Sequence, residues 1–364
     1  MNINFTCLPN STSFGETALQ TLKHLDKLGH NVTLFPINHG IEAEPENHDL
    51  IRRSIDNQAN FDYNAPSVRL WHQFDLAAHV GKGKRFGWSI FELDKFNDRE
   101  LNHLRSQDEL IVCSAWGKQV CESNNINLPI HVVPLGVDTS VFNPRYNSYH
   151  LRREGENSTV FINVGKTELR KHDILLECFE RAFDSGQNVE LHMVWKNRLL
   201  EGRHKKELES WENMYKTSPL ADKITLYDWL PDQRSVAIML ANADCAVFPS
   251  HAEGFNFGLL QSMAAGLPVI CTNYSAHTEY ANDSNAMLIN VDELEPAYDG
   301  IWFHGQGNWA KFGESQKEQL INHMRTIHHK KQNGEDMFNN EGFETAQKFS
   351  WENTAKTLVS AISS

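Results

Sequence analysis

Short apolar runs alternate with segments of helical period along nearly the whole chain, and this leaves few folds open. Strands separated by helices pair in parallel, because each crossover lays a helix on one face of the sheet until both faces are covered. In the amino-terminal half the strand candidates are residues 3–7, 32–36, 68–72, 85–90, 110–113 and 131–134. A second series follows at 159–164, 189–195, 223–227, 245–248 and 268–271. Between them, residues 145–158 are polar and charged without period, as a linker would be. The first helix is marked by Glu16 in its first turn, by Leu19, Leu22 and Leu25 on one face, and by Gly29 as its stop. After Glu293 the pattern becomes loop-rich, and from Glu314 it is mainly helical. A chain of 364 residues is large for one core and natural for two. The expectation is α/β architecture in two domains.

Composition removes several classes of function. Charged residues at 22% and apolar residues at 40% are those of an ordinary globular protein. No apolar stretch reaches the length of a membrane span, and the first residues lack the basic-then-apolar pattern of a signal peptide. The six cysteines have no Cys-x-x-Cys spacing and several fall within apolar runs, so buried free thiols and a cytoplasmic setting are expected. A net charge of −13 argues against general nucleic-acid binding. Small basic clusters at Lys82, Lys84 and Arg85, at Arg203 to Lys206, and at Lys330 and Lys331 read as solvated faces, with a local site for an anionic partner left open. The turn Gly81-Lys-Gly83 lacks the third glycine of a dinucleotide fingerprint, which weakens a dehydrogenase reading. His323, His328 and His329 are not spaced as a helical zinc pair, and neither Gly-x-Ser-x-Gly nor Asp-x-Asp occurs.

The stretch from Phe248 to Tyr280 carries the most chemistry. An apolar strand runs into a loop holding Glu253, Gly254 and Gly258; a helix of roughly two turns follows and ends at Gly266, and Pro268 opens another strand. Unpaired backbone N–H groups and the positive end of a helix dipole make such a start an anion cradle. Glu253 beside it is an acceptor suited to sugar hydroxyls. Together they suit a nucleotide sugar. A second informative segment runs from Phe161 to Gly165 and on through Lys166, Arg170 and Lys171. Its cations either converge on a diphosphate at the strand's carboxyl end or sit in solvent.

These segments resemble the donor loop of retaining glycosyltransferases with two Rossmann-like domains (the GT-B type), family 4 in particular. There two Glu residues stand eight positions apart in Glu-Gly-Phe-Gly…Glu-Ala-Met-Ala-x-Gly-x-Pro-Val. Glu253 matches the first, which contacts the donor sugar; the second, which holds the ribose, is replaced by Gln261, uncharged but still able to accept and donate. The resemblance also implies that Asn256, Phe257 and Gly258 line the donor. It makes Lys166 and Lys171 the phosphate ligands, with Arg170 beside them, although the glycine after the family's Lys is His172 here. It lays the turn at Leu230 against the nucleobase and brings the glycine-bearing loop at Gly15 to the donor phosphate and acceptor. His72 would orient the donor sugar or relay a proton, with Glu92 as its competitor and a structural role as the alternative. The run from Pro134 through Gly136, Val137 and Asp138 to Phe142 and Pro144 resembles the family's marker closing the first domain.

What the resemblance implies is a retaining, metal-independent glycosyltransferase, a hexosyltransferase, with no cofactor beyond its donor, a UDP- or GDP-sugar such as UDP-glucose. Glu253, His72 and Lys171 would act in catalysis. An acceptor domain would span residues 1–148 and a donor domain 158–348, their parallel sheets facing across a cleft; a terminal helix at 350–364 would return to the first domain. The acceptor stays open between a carbohydrate, a lipid-linked hydroxyl and a modified nucleic acid. Two other readings stand beside this one: a nucleotide-sugar epimerase or hydrolase of the same fold, and a nucleotide-sugar binding protein that has lost catalysis.

Overall fold

The computed structural model describes residues 1–144, 157–165, 172–196, 200, 202, 204–228, 230 and 232–364. Residues 145–156, most of the expected linker, lie outside the described residues. The chain divides into two compact units: Met1–Gly136 with Phe349–Ser364, and Val137–Lys348.

The first unit is built on six strands: β1 (Asn2–Cys7), β2 (Asn31–Pro36), β3 (Ser67–Leu70), β4 (Arg85–Trp88), β5 (Glu109–Val112) and β6 (Ile130–Val132). All pair in parallel, in the order β2-β1-β3-β4-β5-β6, so the order reverses between β1 and β3. Every residue of β3 and of β5 is buried, as expected of strands covered on both faces. The covering helices are α1 (Ser13–Lys27), α2 (His48–Asp56), α3 (Asp98–Arg105) and α4 (Ala115–Ser123). Each start has a chemical cause where a cap is present. Thr12 Oγ1 accepts from Gly15 N at 3.3 Å to open α1, and Asn97 with Glu100 forms a capping box at α3. The strand expected to run to His72 stops at Leu70.

The second unit repeats the plan with β7 (Thr159–Val164), β8 (Val189–Val194), β9 (Ile224–Tyr227), β10 (Cys245–Phe248), β11 (Val269–Asn273) and β12 (Met287–Asn290). The order β12-β11-β10-β7-β8-β9 is again wholly parallel, with its reversal between β7 and β10. The helices are α5 (His172–Ala182), α6 (Lys205–Lys216), α7 (Gln233–Ala241), α8 (Phe257–Ala264), α9 (Glu314–Gln332) and α10 (Asn340–Lys348). Phe161, Phe179 and Phe183 pack ring on ring in its core, 5.4 to 6.4 Å apart. Lys331 on α9 meets the buried Asp244 at 3.0 Å, and Asp244 also accepts from Val160 N at 2.8 Å.

Two elements were not expected. The short strand β12 extends the second sheet. The stretch after Glu293, read as loop, holds an antiparallel hairpin of β13 (Leu294–Tyr298) and β14 (His304–Ala310), apart from both large sheets. The last helix, α11 (Trp351–Ile362), belongs to the first unit. It packs on α1, and Thr354 Oγ1 donates to Pro134 O at 2.8 Å. The six cysteines are buried and unpaired, and burial pushes the thiols of Cys121, Cys178 and Cys271 up to about 12. Among the described residues no helix is long and apolar enough to cross a membrane.

Candidate active site

In open parallel sheets, ligands bind beyond the carboxyl ends of the strands, where the strand order reverses. In the second unit that place lies between β7 and β10, and α8 begins there. A Cβ on Gly258 would sit 3.0 Å from Phe248 Cε1 and 3.1 Å from Val164 O. The first turn of α8 thus rests directly on the ends of both strands, and a larger residue there would force those neighbours to give by a few tenths of an ångström.

The loop from β10 to α8 is pinned residue by residue. Asn256 caps α8 from a left-handed conformation (φ 70°, ψ 84°), its Oδ1 accepting from Leu259 N at 3.2 Å. Its Nδ2 lies 2.9 Å from His277 Nε2, while His277 Nδ1 lies 2.9 Å from Thr272 O. Those neighbours fit an imidazole that donates from Nδ1 and accepts at Nε2. Tyr280 donates its hydroxyl toward the carbonyls of Phe255 (2.7 Å) and Asn256 (2.9 Å). Glu253 is 2% exposed. Its Oε1 accepts from Ser250 Oγ at 2.8 Å and its backbone N donates to Ser275 Oγ at 2.8 Å. Ser275, His277 and Tyr280 therefore hold the loop from one side. Sequence reasoning covered that stretch but gave them no role; their hydrogen-bonding side chains beside an apolar strand were the available signal.

Gln261 is buried one turn into α8, and its Nε2 donates to Gln233 Oε1 at 3.0 Å. Gln233 opens α7 directly after Asp232, whose carboxylate caps that helix by accepting from Ser235 N at 2.7 Å. The bond ties the start of α7, with half-buried Leu230 just before it, to the face of α8. The structure thus gathers Glu253, Asn256, Phe257, Gly258, Gln261 and Leu230 in one unit on the carboxyl side of its sheet. Lys166, Arg170 and Lys171 lie outside the described residues; β7, which leads to them, ends at Val164.

Gly15 and His72 come together in the first unit, at its own reversal between β1 and β3. A Cβ on Gly15 would fall 2.1 Å from Asn10 Oδ1 and 2.2 Å from Asn10 O, so the turn into α1 closes only with glycine. The neighbouring Phe14 lies 4.6 Å from the His72 ring, and Phe74 stacks on that ring at 5.1 Å and 6°. Arg99 covers Phe74 at 5.4 Å. Glu92 lies past the end of β4, one strand further along. Among the described residues no three His, Cys, Asp or Glu side chains cluster as metal ligands would.

The profile of the glycosyl transferases group 1 family matches residues 158–301, the stretch that contains this loop together with Ser275, His277 and Tyr280. Over that stretch the chain carries a group 1 glycosyltransferase domain. This glycosyltransferase is 25% identical to putative glycosyltransferase 45 of a Sulfolobus islandicus filamentous virus, over 86% of the chain and 85% of the viral protein. It is 30% identical to the GDP-mannose-dependent alpha-(1-6)-phosphatidylinositol dimannoside mannosyltransferase of Mycobacterium tuberculosis, over 44% of the chain and 40% of that relative. Its fold is that of Anabaena HepE, solved in complex with UDP and glucose, with a TM-score of 0.72 at 15% identity over 100% of this chain and 99% of that one. The fold of the glycosyltransferase is accordingly GT-B.

Proposed function

We propose that this glycosyltransferase moves a hexose from a nucleoside diphosphate sugar to a hydroxyl acceptor, with retention of configuration and without a metal ion. One observation carries the reading: a buried glutamate sits in a loop, tied down by Ser275, His277 and Tyr280, that starts a helix at the reversal of a parallel sheet. The second unit is the donor domain. Glu253 meets the sugar hydroxyls, Gln261 the ribose and Leu230 the base, while Asn256, Phe257 and Gly258 line the diphosphate. Lys166 and Lys171, with Arg170, neutralise the charge that develops on the departing diphosphate, the work a metal would otherwise do. Gly15 and His72 belong to the first unit, the acceptor domain, where His72 orients the sugar or relays the proton. With no carboxylate assigned as nucleophile among the described residues, the leaving phosphate guides attack on the same face of the sugar.

UDP-glucose and GDP-mannose are the donors to try first, since UDP with glucose occupies the HepE structure and GDP-mannose is in the name of the mycobacterial relative. The chain acts in the cytoplasm on a carbohydrate, lipid-linked or nucleic-acid hydroxyl. The experiment is a thermal-shift panel of nucleotide sugars, followed by turnover of whichever donor stabilises the protein. Lys166→Ala and Lys171→Ala should each lower turnover on the order of 10²-fold with the fold intact, and chelator should leave it unchanged. Wild-type rates in both variants would remove the phosphate assignment. The second reading, a binding protein without catalysis, is favoured by one observation, a buried Gln261 already engaged by Gln233. Tight donor binding with neither transfer nor hydrolysis would establish it.

A further inference from the structure

The β13–β14 hairpin stands outside both large sheets, and a two-stranded hairpin has little stability of its own in water. What anchors it is His251. The Trp309 ring, 2% exposed, stacks on the His251 ring at 4.1 Å and 11°, and Phe312 meets the same ring edge-on at 6.2 Å. Ala310 N donates to His251 O at 3.0 Å, and His251 Nδ1 donates back to Ala310 O at 2.6 Å. Glu295 Oε1 lies 3.5 Å from that same Nδ1, and Glu295 pairs across the hairpin with Trp309. Residue 251 is therefore held by backbone bonds, a ring face and a carboxylate, all from one hairpin.

His251 follows Ser250, whose hydroxyl bonds the Glu253 carboxylate, and stands two residues before that glutamate. Ser275, His277 and Tyr280 fix the later part of the loop; the hairpin fixes the earlier part. Moving residue 251 must carry Ser250, and with it the Glu253 carboxylate. We infer that the hairpin is a buttress for the donor loop, with Trp309 and His251 as positioning residues that set the Glu253 carboxylate against the donor sugar. The inference rests on the donor-site reading above and adds a specific consequence: disturbing the stack weakens recognition of the sugar and spares recognition of the nucleotide.

The test compares dissociation constants, by calorimetry on the full chain, for UDP against UDP-glucose and for GDP against GDP-mannose. In the wild-type protein the sugar should add affinity within one of these pairs. Trp309→Leu should lose about tenfold of that increment while the diphosphate constant stays within twofold. Trp309→Phe, which keeps a ring on His251, should recover most of it. Tyr298→Ala, on an exposed position of the hairpin, should change neither constant. A Trp309→Leu protein that retains the full increment would overturn the inference and leave the donor site standing. Equal loss for sugar and diphosphate would also overturn it, since that marks general loosening of the unit. A wild-type protein that binds no member of the nucleotide-sugar panel would remove the donor reading itself, and the buttress role with it.

Discussion

At the scale of single residues, the site depends on two positions where size and charge are finely set. A methyl group at Gly258 has two obstacles, the buried Phe248 ring and a strand carbonyl that cannot retreat without lifting the end of β7. Helix propensity favours Ala by up to about 1 kcal/mol, and overpacking costs about 1–3 kcal/mol. The crowding is against backbone, so overpacking should win. Gly258→Ala is expected to destabilise the second unit by about 1–2 kcal/mol on those terms, read as a lower melting temperature, and to weaken nucleoside diphosphate binding. An unchanged melting temperature would mean that the start of α8 has more freedom than its contacts imply. Gln261 poses the opposite question, of charge without size. Its amide now donates to Gln233, but Gln233 can turn its own amide and donate to a carboxylate instead. Gln261→Glu should therefore fold normally. If the side chain reaches the ribose, charge-assisted bonds should tighten the donor by about 1 kcal/mol, or roughly fivefold. A donor dissociation constant unmoved by the substitution would place Gln261 away from the ribose.

At the scale of elements, the hydrogen bonds from Ser275, His277 and Tyr280 should steady the loop between β10 and α8, and His79 should make the first unit sensitive to acid. Tyr280→Phe removes the hydroxyl shared by two carbonyls and should cost about 1–2 kcal/mol, with faster amide exchange confined to residues 250–258. The His79 ring touches Ser67 Oγ at 3.0 Å and Gln107 Oε1 at 2.6 Å, tying β3 to the end of α3. Burial, with the Arg69 and Arg85 charges adding to it, holds the His79 pKa below the ordinary 6.5. The folded state then binds a proton less readily than the unfolded chain, so stability is complete above 6.5 and falls as pH drops below it. His79→Gln should flatten the melting temperature of the first unit between pH 7 and 5; an unchanged slope would assign that acid sensitivity elsewhere.

The parallel strands were legible because burial on both faces makes each one an apolar run, as the fully buried β3, β5 and β10 are. β12 buries only its two central residues, Leu288 and Ile289, and so lacks the wholly apolar run of the inner strands, and the hairpin was hidden by Pro296, Gly305 and Gly307, which read as turns. The loop and helix start that hold Glu253 and Gly258 were legible because the pattern is local in the sequence. The residues that hold this loop and helix, Ser275, His277, Trp309 and Gln233, were not, because those contacts join residues far apart in the chain.

At the scale of the molecule, the chain passes from the first unit to the second after Gly136 and returns after Lys348, so the first unit is closed by its last helix. Trp351, Ala355 and Leu358 are nearly inaccessible on α11, and that helix lies against α1. Trp351→Ala leaves a large cavity there, and truncations of this kind cost about 3–5 kcal/mol. The loss belongs to the first unit. Donor binding, by contrast, should stabilise only the unit that holds Glu253 and α8, by about 2.7 kcal/mol at a donor concentration one hundred times its dissociation constant. Scanning calorimetry of Trp351→Ala is therefore expected to resolve two transitions, an early one from the first unit and a later one at the wild-type temperature. Added nucleotide sugar should raise the later one alone. A single transition that moves with both perturbations would show that the units unfold together, and the stability of the donor site would then be set in part by a helix at the far end of the chain.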